Sequence, residues 1–166
     1  MTFPRFHSLL FLLLCLNAGR YAYAEAFRLP ERNAPVPMAE IESICHHYGL
    51  NELWQQIESN PPGLPFRSDG CSVWPDTWLS GRDLYEGCFV HDLYYWSGTP
   101  GDEMGRLRAD VWLLMWVAEN VSIELGEAMF NGVRVGGGEK LDTPWRWGFG
   151  RQASPKVKAT KENERP

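Results

Sequence analysis

Apolar residues recur at helical spacing in three parts of the chain. In the first, Ile41, Ile44 and Tyr48 form one stripe, Gly49 interrupts it, and Leu50, Leu53, Trp54 and Ile57 resume it. That pattern predicts two short helices within about Ala39 to Ser59, meeting at a bend. The second segment runs from about Asp83 to Trp96 and is apolar or aromatic along most of its length. The third runs from Arg106 to about Leu125, with Leu107, Leu114, Val117 and Val121 at spacings of three, four and seven. Residues 61–80 are full of Pro, Gly, Ser and Asp, and "SGTPGDEMG" at 97–105 holds a proline and three glycines, so both predict irregular connections. Residues 132–150, with "GGG" and "WRWGFG", predict turns and a short hairpin. The expected fold class is mainly α: a small helical domain without internal repeats.

Polar residues intrude on two of these apolar stretches. His91 and Asp92 stand side by side in "GCFVHDLYYW" at 87–96, and Asp110 lies three residues after Leu107 and four before Leu114, on the face expected to be buried. A carboxylate in such a place costs free energy unless something pairs with it. Its partner could be a neighbour such as Arg106 or Arg108. It could also be His91, if the second and third helices pack antiparallel. Successive helical residues diverge by about 100°, so His91 and Asp92 can serve two adjoining sites, with Cys88 and Tyr95 on the His91 side. An imidazole held by a carboxylate is the arrangement of an oriented general base. Asp92 would then be available for a cation. The loop "SDGCSVWPD" at 68–76 offers Asp69, Asp76 and backbone carbonyls, hard oxygen donors suited to calcium and not to zinc. His46 and His47 read as surface or hydrogen-bonded histidines.

The two ends of the chain change the picture of where it works. Arg5, the apolar run Leu9 to Leu16 and "AYA" at 22–24 have the order of a secretory signal peptide, and eight apolar residues are too few to span a bilayer. The mature chain is expected to begin at Glu25, in a secreted or periplasmic protein. Bulky Leu13 and Leu14 count against reading Cys15 as a lipid-attachment site. Loss of residues 1–24 removes Arg5 and Arg20 and no acid, which takes the formal charge from −5 to −7. Residues 151–166 carry five Lys/Arg and two Glu and read as a flexible basic tail, which leaves residues 25–150 at −10. So acidic a body excludes nucleic acid as an expected partner. Outside the cytoplasm thiols tend to pair, and after export Cys45, Cys71 and Cys88 remain. That odd count leaves one thiol free or paired between chains.

Taken together, "SDGC" at 68–71, "CFVHDLYY" at 88–95 and Asp110 of "RLRADVW" resemble the secreted phospholipase A2 fold, above all its compact prokaryotic branch. The resemblance covers roughly residues 65–120. It implies a disulfide between Cys71 and Cys88 that ties a calcium loop to the helix bearing the histidine. It implies His91 as the catalytic base, Asp110 as its orienting carboxylate and Tyr95 as a supporting residue. Calcium would be held by Asp69, the Gly70 carbonyl and Asp92. The implied reaction is calcium-dependent hydrolysis of a phospholipid carboxylic ester at a membrane surface, with water activated by His91 and no covalent intermediate. A non-catalytic module of the same fold, binding a lipid or protein partner, is the alternative. The glycine-rich calcium loop of the animal enzymes is absent. Residues 126–150 match nothing in the family; their aromatic residues and Arg146 would close the core or form a lipid-facing rim.

Overall fold

The computed structural model describes residues 27–72, 74–75, 77, 81–137 and 149–150. The expected signal segment, Asp76, Trp145, Arg146 and the basic tail lie outside the described residues. The described part is mainly helical, with α1 (Met38–His47), α2 (Asn51–Ser59), α3 (Tyr85–Ser97), α4 (Glu103–Asn120) and α5 (Ile123–Gly136). It contains no strand, only isolated bridges between Val36 and Phe66 and between Thr77 and Asp83.

The expected bend between the first two helices falls at Gly49, whose φ of 68° is left-handed and favours glycine there. Across that bend the Leu50 amide bonds the Cys45 carbonyl at 2.7 Å. The stripe on α1 and α2 is buried at Ile41, Ile44, Leu53 and Ile57, and it packs against Phe66 and the α3 residues Phe89, Val90, Leu93 and Trp96. A second core gathers Leu84 and Cys88 with Leu113 and Val117 of α4 and Leu125 and Met129 of α5. Helix α3 therefore has a core on each side, and this explains why its sequence is apolar nearly all round. Its contacts with α4 include Gly87 against Trp116, His91 against Asp110, and Tyr95 against Arg106.

The third apolar segment differs from expectation at both ends. Helix α4 begins at Glu103, not Arg106, because Asp102 caps it: its side chain accepts from the Gly105 amide at 2.9 Å. It ends at Asn120 instead of running to Leu125. The Ser122 side chain accepts from the Leu125 amide at 3.2 Å and starts a separate helix, α5. That helix continues to Gly136, so residues 132–136 are helical where turns were expected. The buried face of α4 is Arg106, Ala109, Asp110, Leu113 and Val117, while Leu107 and Leu114 are only half-buried. Gly126 permits α5 to approach α4 closely, since a Cβ there would lie 2.7 Å from the Leu114 carbonyl oxygen. Cys71 and Cys88 form a disulfide, and Cys45 is a buried free thiol whose pKa burial pushes up to about 11.

Candidate active site

Asp110 is fully buried, and its two oxygens have separate partners. Oδ1 lies 2.9 Å from His91 Nε2 and accepts from the Tyr95 hydroxyl at 2.7 Å. Oδ2 accepts from Arg134 Nη1 at 2.7 Å, with Arg106 Nε at 3.8 Å. Burial by itself would raise the Asp110 carboxyl, but the hydrogen bond and charge of His91, followed by the bonds from Tyr95 and Arg134, hold it below the usual carboxylate range. An ionised Asp110 only accepts, so His91 Nε2 carries the proton of this bond and Nδ1 is left as the basic nitrogen. Burial, then the charge of Asp110 and its hydrogen bond, push the Tyr95 phenol above its ordinary range, so it remains a donor. The His91 and Tyr95 rings sit 4.3 Å apart between centroids. A helix places residues four apart on one side, which is why His91 and Tyr95 reach the same oxygen.

Asp92, the next residue, looks toward a different neighbour. Its Oδ2 accepts from the Ser68 hydroxyl at 2.6 Å, and Ser68 Oγ in turn accepts from the Gly70 amide at 3.1 Å. The loop is thus joined to α3 by a hydrogen bond at Asp92 and by the disulfide at Cys88. Asp69 is half-buried and accepts from Ser72 Oγ at 3.1 and 3.2 Å. Gly70 has a φ of 85°, a conformation that favours glycine. Burial pushes the Asp92 carboxyl well above its ordinary range; the Ser68 bond offsets part of this, and the negative charge of Asp69 pushes further. A buried carboxylate close to a second one, with one hydroxyl partner, is a donor set that a hard divalent cation would relieve. Among the described residues no three His, Cys, Asp or Glu side chains converge on one point, so loop carbonyls would have to complete such a site.

A cavity of about 150 Å³ opens onto these groups. His91, Asp92, Tyr95 and Gly70 line one part of it, and Leu113, Met129 and Val133 supply apolar wall. Gly137 lies under Tyr95, where a Cβ would come within 2.8 Å of the phenol oxygen. The site joins a basic nitrogen, two neighbouring acids of which Asp92 is buried, and an apolar recess. Such a combination can take up a proton beside an apolar molecule.

Of the site residues inferred from sequence, His91, Asp110 and Tyr95 fall in one hydrogen-bonded group and Asp69, Gly70 and Asp92 lie around the loop, while Asp76 lies outside the described residues. His46 and His47 are exposed and elsewhere; His46 Nδ1 is 2.9 Å from Asn51 Oδ1, and His47 stacks on Phe27 at 3.8 Å. Sequence reasoning missed Ser68 and Arg134. Ser68 precedes Asp69 directly but gives no spacing signal, and Arg134 was hidden with the helix that carries it. Comparison of the chain with known protein families, characterised proteins and solved structures finds no match.

Proposed function

We propose that the protein is an exported, calcium-dependent phospholipase A2-like hydrolase that cleaves a phospholipid carboxylic ester at a membrane surface. The observation that carries this reading is the pairing of His91 with buried Asp110 at 2.9 Å, while the adjacent Asp92 is bonded to the disulfide-tied loop. The order of contacts between α3 and α4 supports two antiparallel core helices, and residues 68–72 would form the irregular calcium loop. The resemblance of "SDGC", "CFVHDLYY" and Asp110 to the prokaryotic branch of the family points the same way.

In this reading His91 Nδ1 takes a proton from water, whose oxygen attacks the ester carbonyl carbon. The ester C–O bond then breaks, and the proton passes to the departing alcohol oxygen. A fatty acid and a lysophospholipid result. Asp110 holds the ring in the required tautomer and stabilises the imidazolium formed when His91 is protonated. The bonds from Tyr95 and Arg134 help keep that carboxylate ionised. The apolar wall at Leu113, Met129 and Val133 would take part of an acyl chain and exclude bulk water. Asp69, Asp92 and the Gly70 carbonyl would hold the calcium ion, which when bound supplies positive charge for a phosphate oxygen and for charge developing on the carbonyl oxygen.

Purified protein incubated with dispersed phospholipid in calcium buffer tests the reading. Equimolar fatty acid and lysophospholipid are expected, and chelator should stop their release. Vesicle binding without hydrolysis in calcium would return the protein to the class of non-catalytic lipid-binding modules.

A further inference from the structure

A carboxylate with only one oxygen engaged can turn about its terminal torsion, which is broad and roughly two-fold. In Asp110 the oxygen facing His91 and Tyr95 is Oδ1, and the opposite oxygen, Oδ2, is bonded at 2.7 Å by Arg134, from a helix that bears none of the other residues of the dyad. Arg134 is itself fixed at both ends. Its Nη2 lies 3.3 Å from Glu103 Oε2, and its backbone carbonyl accepts from Arg106 Nη2. The guanidinium therefore bridges two carboxylates, one buried and one 58% exposed. A planar fork can do this with fixed directions, whereas an ammonium acts as a point charge.

We propose that Arg134 is a positioning residue of the His91–Asp110 dyad: by pinning Oδ2 it fixes the plane of the Asp110 carboxylate and so the orientation of the His91 ring. The inference rests on the hydrolase reading for its catalytic consequence, but not for its geometry. Helix α5 then has two tasks, since Met129 and Val133 line the cavity while Arg134, the next residue, holds the dyad. Charge neutralisation alone would produce the same contact, because a buried carboxylate needs a counter-charge wherever it stands. The two accounts separate on a substitution that keeps the charge and removes the fork.

The test uses the full chain as parent and Arg134→Lys. At one fixed pH, proton NMR reads the low-field N–H resonance of the His91–Asp110 bond, and thermal melting reads the fold. Positioning requires that Arg134→Lys still melts cooperatively while this resonance shifts or broadens away. On phospholipid, kcat should fall about tenfold or more with KM changed less than about twofold, the pattern of an interaction that matters in the transition state. A resonance identical to that of the parent overturns the proposal, as does its absence from the parent. Should Arg134→Lys fail to fold, Glu103→Ala, at an exposed position, removes the acceptor on the far side of the fork, and the same resonance decides by the same criterion. A parent with no hydrolysis but with a resonance lost in Arg134→Lys contradicts the hydrolase reading alone.

Discussion

Gly87 lies against the indole of Trp116 so closely that a Cβ at position 87 would come within 2.3 Å of the ring. The contact is one helical turn before His91, and it lets α3 and α4 approach enough for the imidazole to reach Asp110. Gly87→Ala should therefore push the helices apart or displace the Trp116 ring, at a cost of about 1–3 kcal/mol as for other overpacked sites. Urea denaturation checks the loss, and a variant as stable as the parent would show that the ring moves aside freely.

The Cys71–Cys88 disulfide closes a loop with a sequence separation of 17 and ties the residues around Asp69 to α3. In the chain-entropy treatment a loop of that size stabilises by roughly 3 kcal/mol. Replacing both cysteines by alanine should lower the melting temperature and weaken calcium binding together, because Asp69 is no longer held near Asp92. Calorimetry with calcium titration measures both. Intact calcium affinity in the double variant would mean that the Ser68 bond alone places the loop.

Buried Asp92 and nearby Asp69 repel one another when both are ionised, and the repulsion adds to the burial that already penalises Asp92. Calcium should raise the melting temperature; at one hundred times its Kd the gain is about 2.7 kcal/mol. Magnesium should do less, since it dehydrates reluctantly and demands regular geometry. Asp92→Asn should melt no lower than the parent in chelator and lose the calcium increment. Equal parent melting curves in calcium and chelator would remove the metal from the account.

Acid should act through Asp110. Its folded pKa is depressed because its hydrogen bonds outweigh the burial that would raise it. The stability it contributes is present above the unfolded value, near 3.9, and is lost as pH falls through the lower folded value. Asp110→Asn should cost about 1–3 kcal/mol at neutral pH, since the donors around it lose a charged acceptor. The variant should also lose less stability than the parent on acidification below about pH 4. Chemical denaturation across that range compares them, and parallel profiles would place the acid sensitivity elsewhere.

The residues that signalled chemistry in the sequence were the ones that broke the hydrophobic pattern. His91, Asp92 and Asp110 stood out because each occupies a buried position where a titratable group is costly, and the structure gives each of them a hydrogen-bond partner. The bend at Gly49 was legible because glycine there interrupts an apolar stripe. Helix α5 was not foreseen. Its three glycines, Gly126, Gly132 and Gly136, resemble loop composition, yet Gly126 serves close packing on α4. Its cap at Ser122 with Glu124 in the first turn is a recognisable start signal, overridden by the apparent continuity of the preceding stripe. Arg134 was lost along with it, since an arginine is informative only once its helix is known to face Asp110. The Ser68–Asp92 bond spans 24 residues and depends on how the loop folds back, which no local pattern encodes.

The most direct measurement compares phospholipid hydrolysis and calcium binding by the parent, His91→Gln and Asp92→Asn. The parent should release fatty acid in calcium and not in chelator. His91→Gln should release none while binding calcium as the parent does, because it removes the base and leaves the proposed ligands in place. Asp92→Asn should lose calcium affinity directly, so that neighbouring residues of one helix give two separable phenotypes. Full hydrolysis by His91→Gln, or calcium binding by Asp92→Asn equal to that of the parent, would contradict the account and leave the His91–Asp110 pair as core architecture.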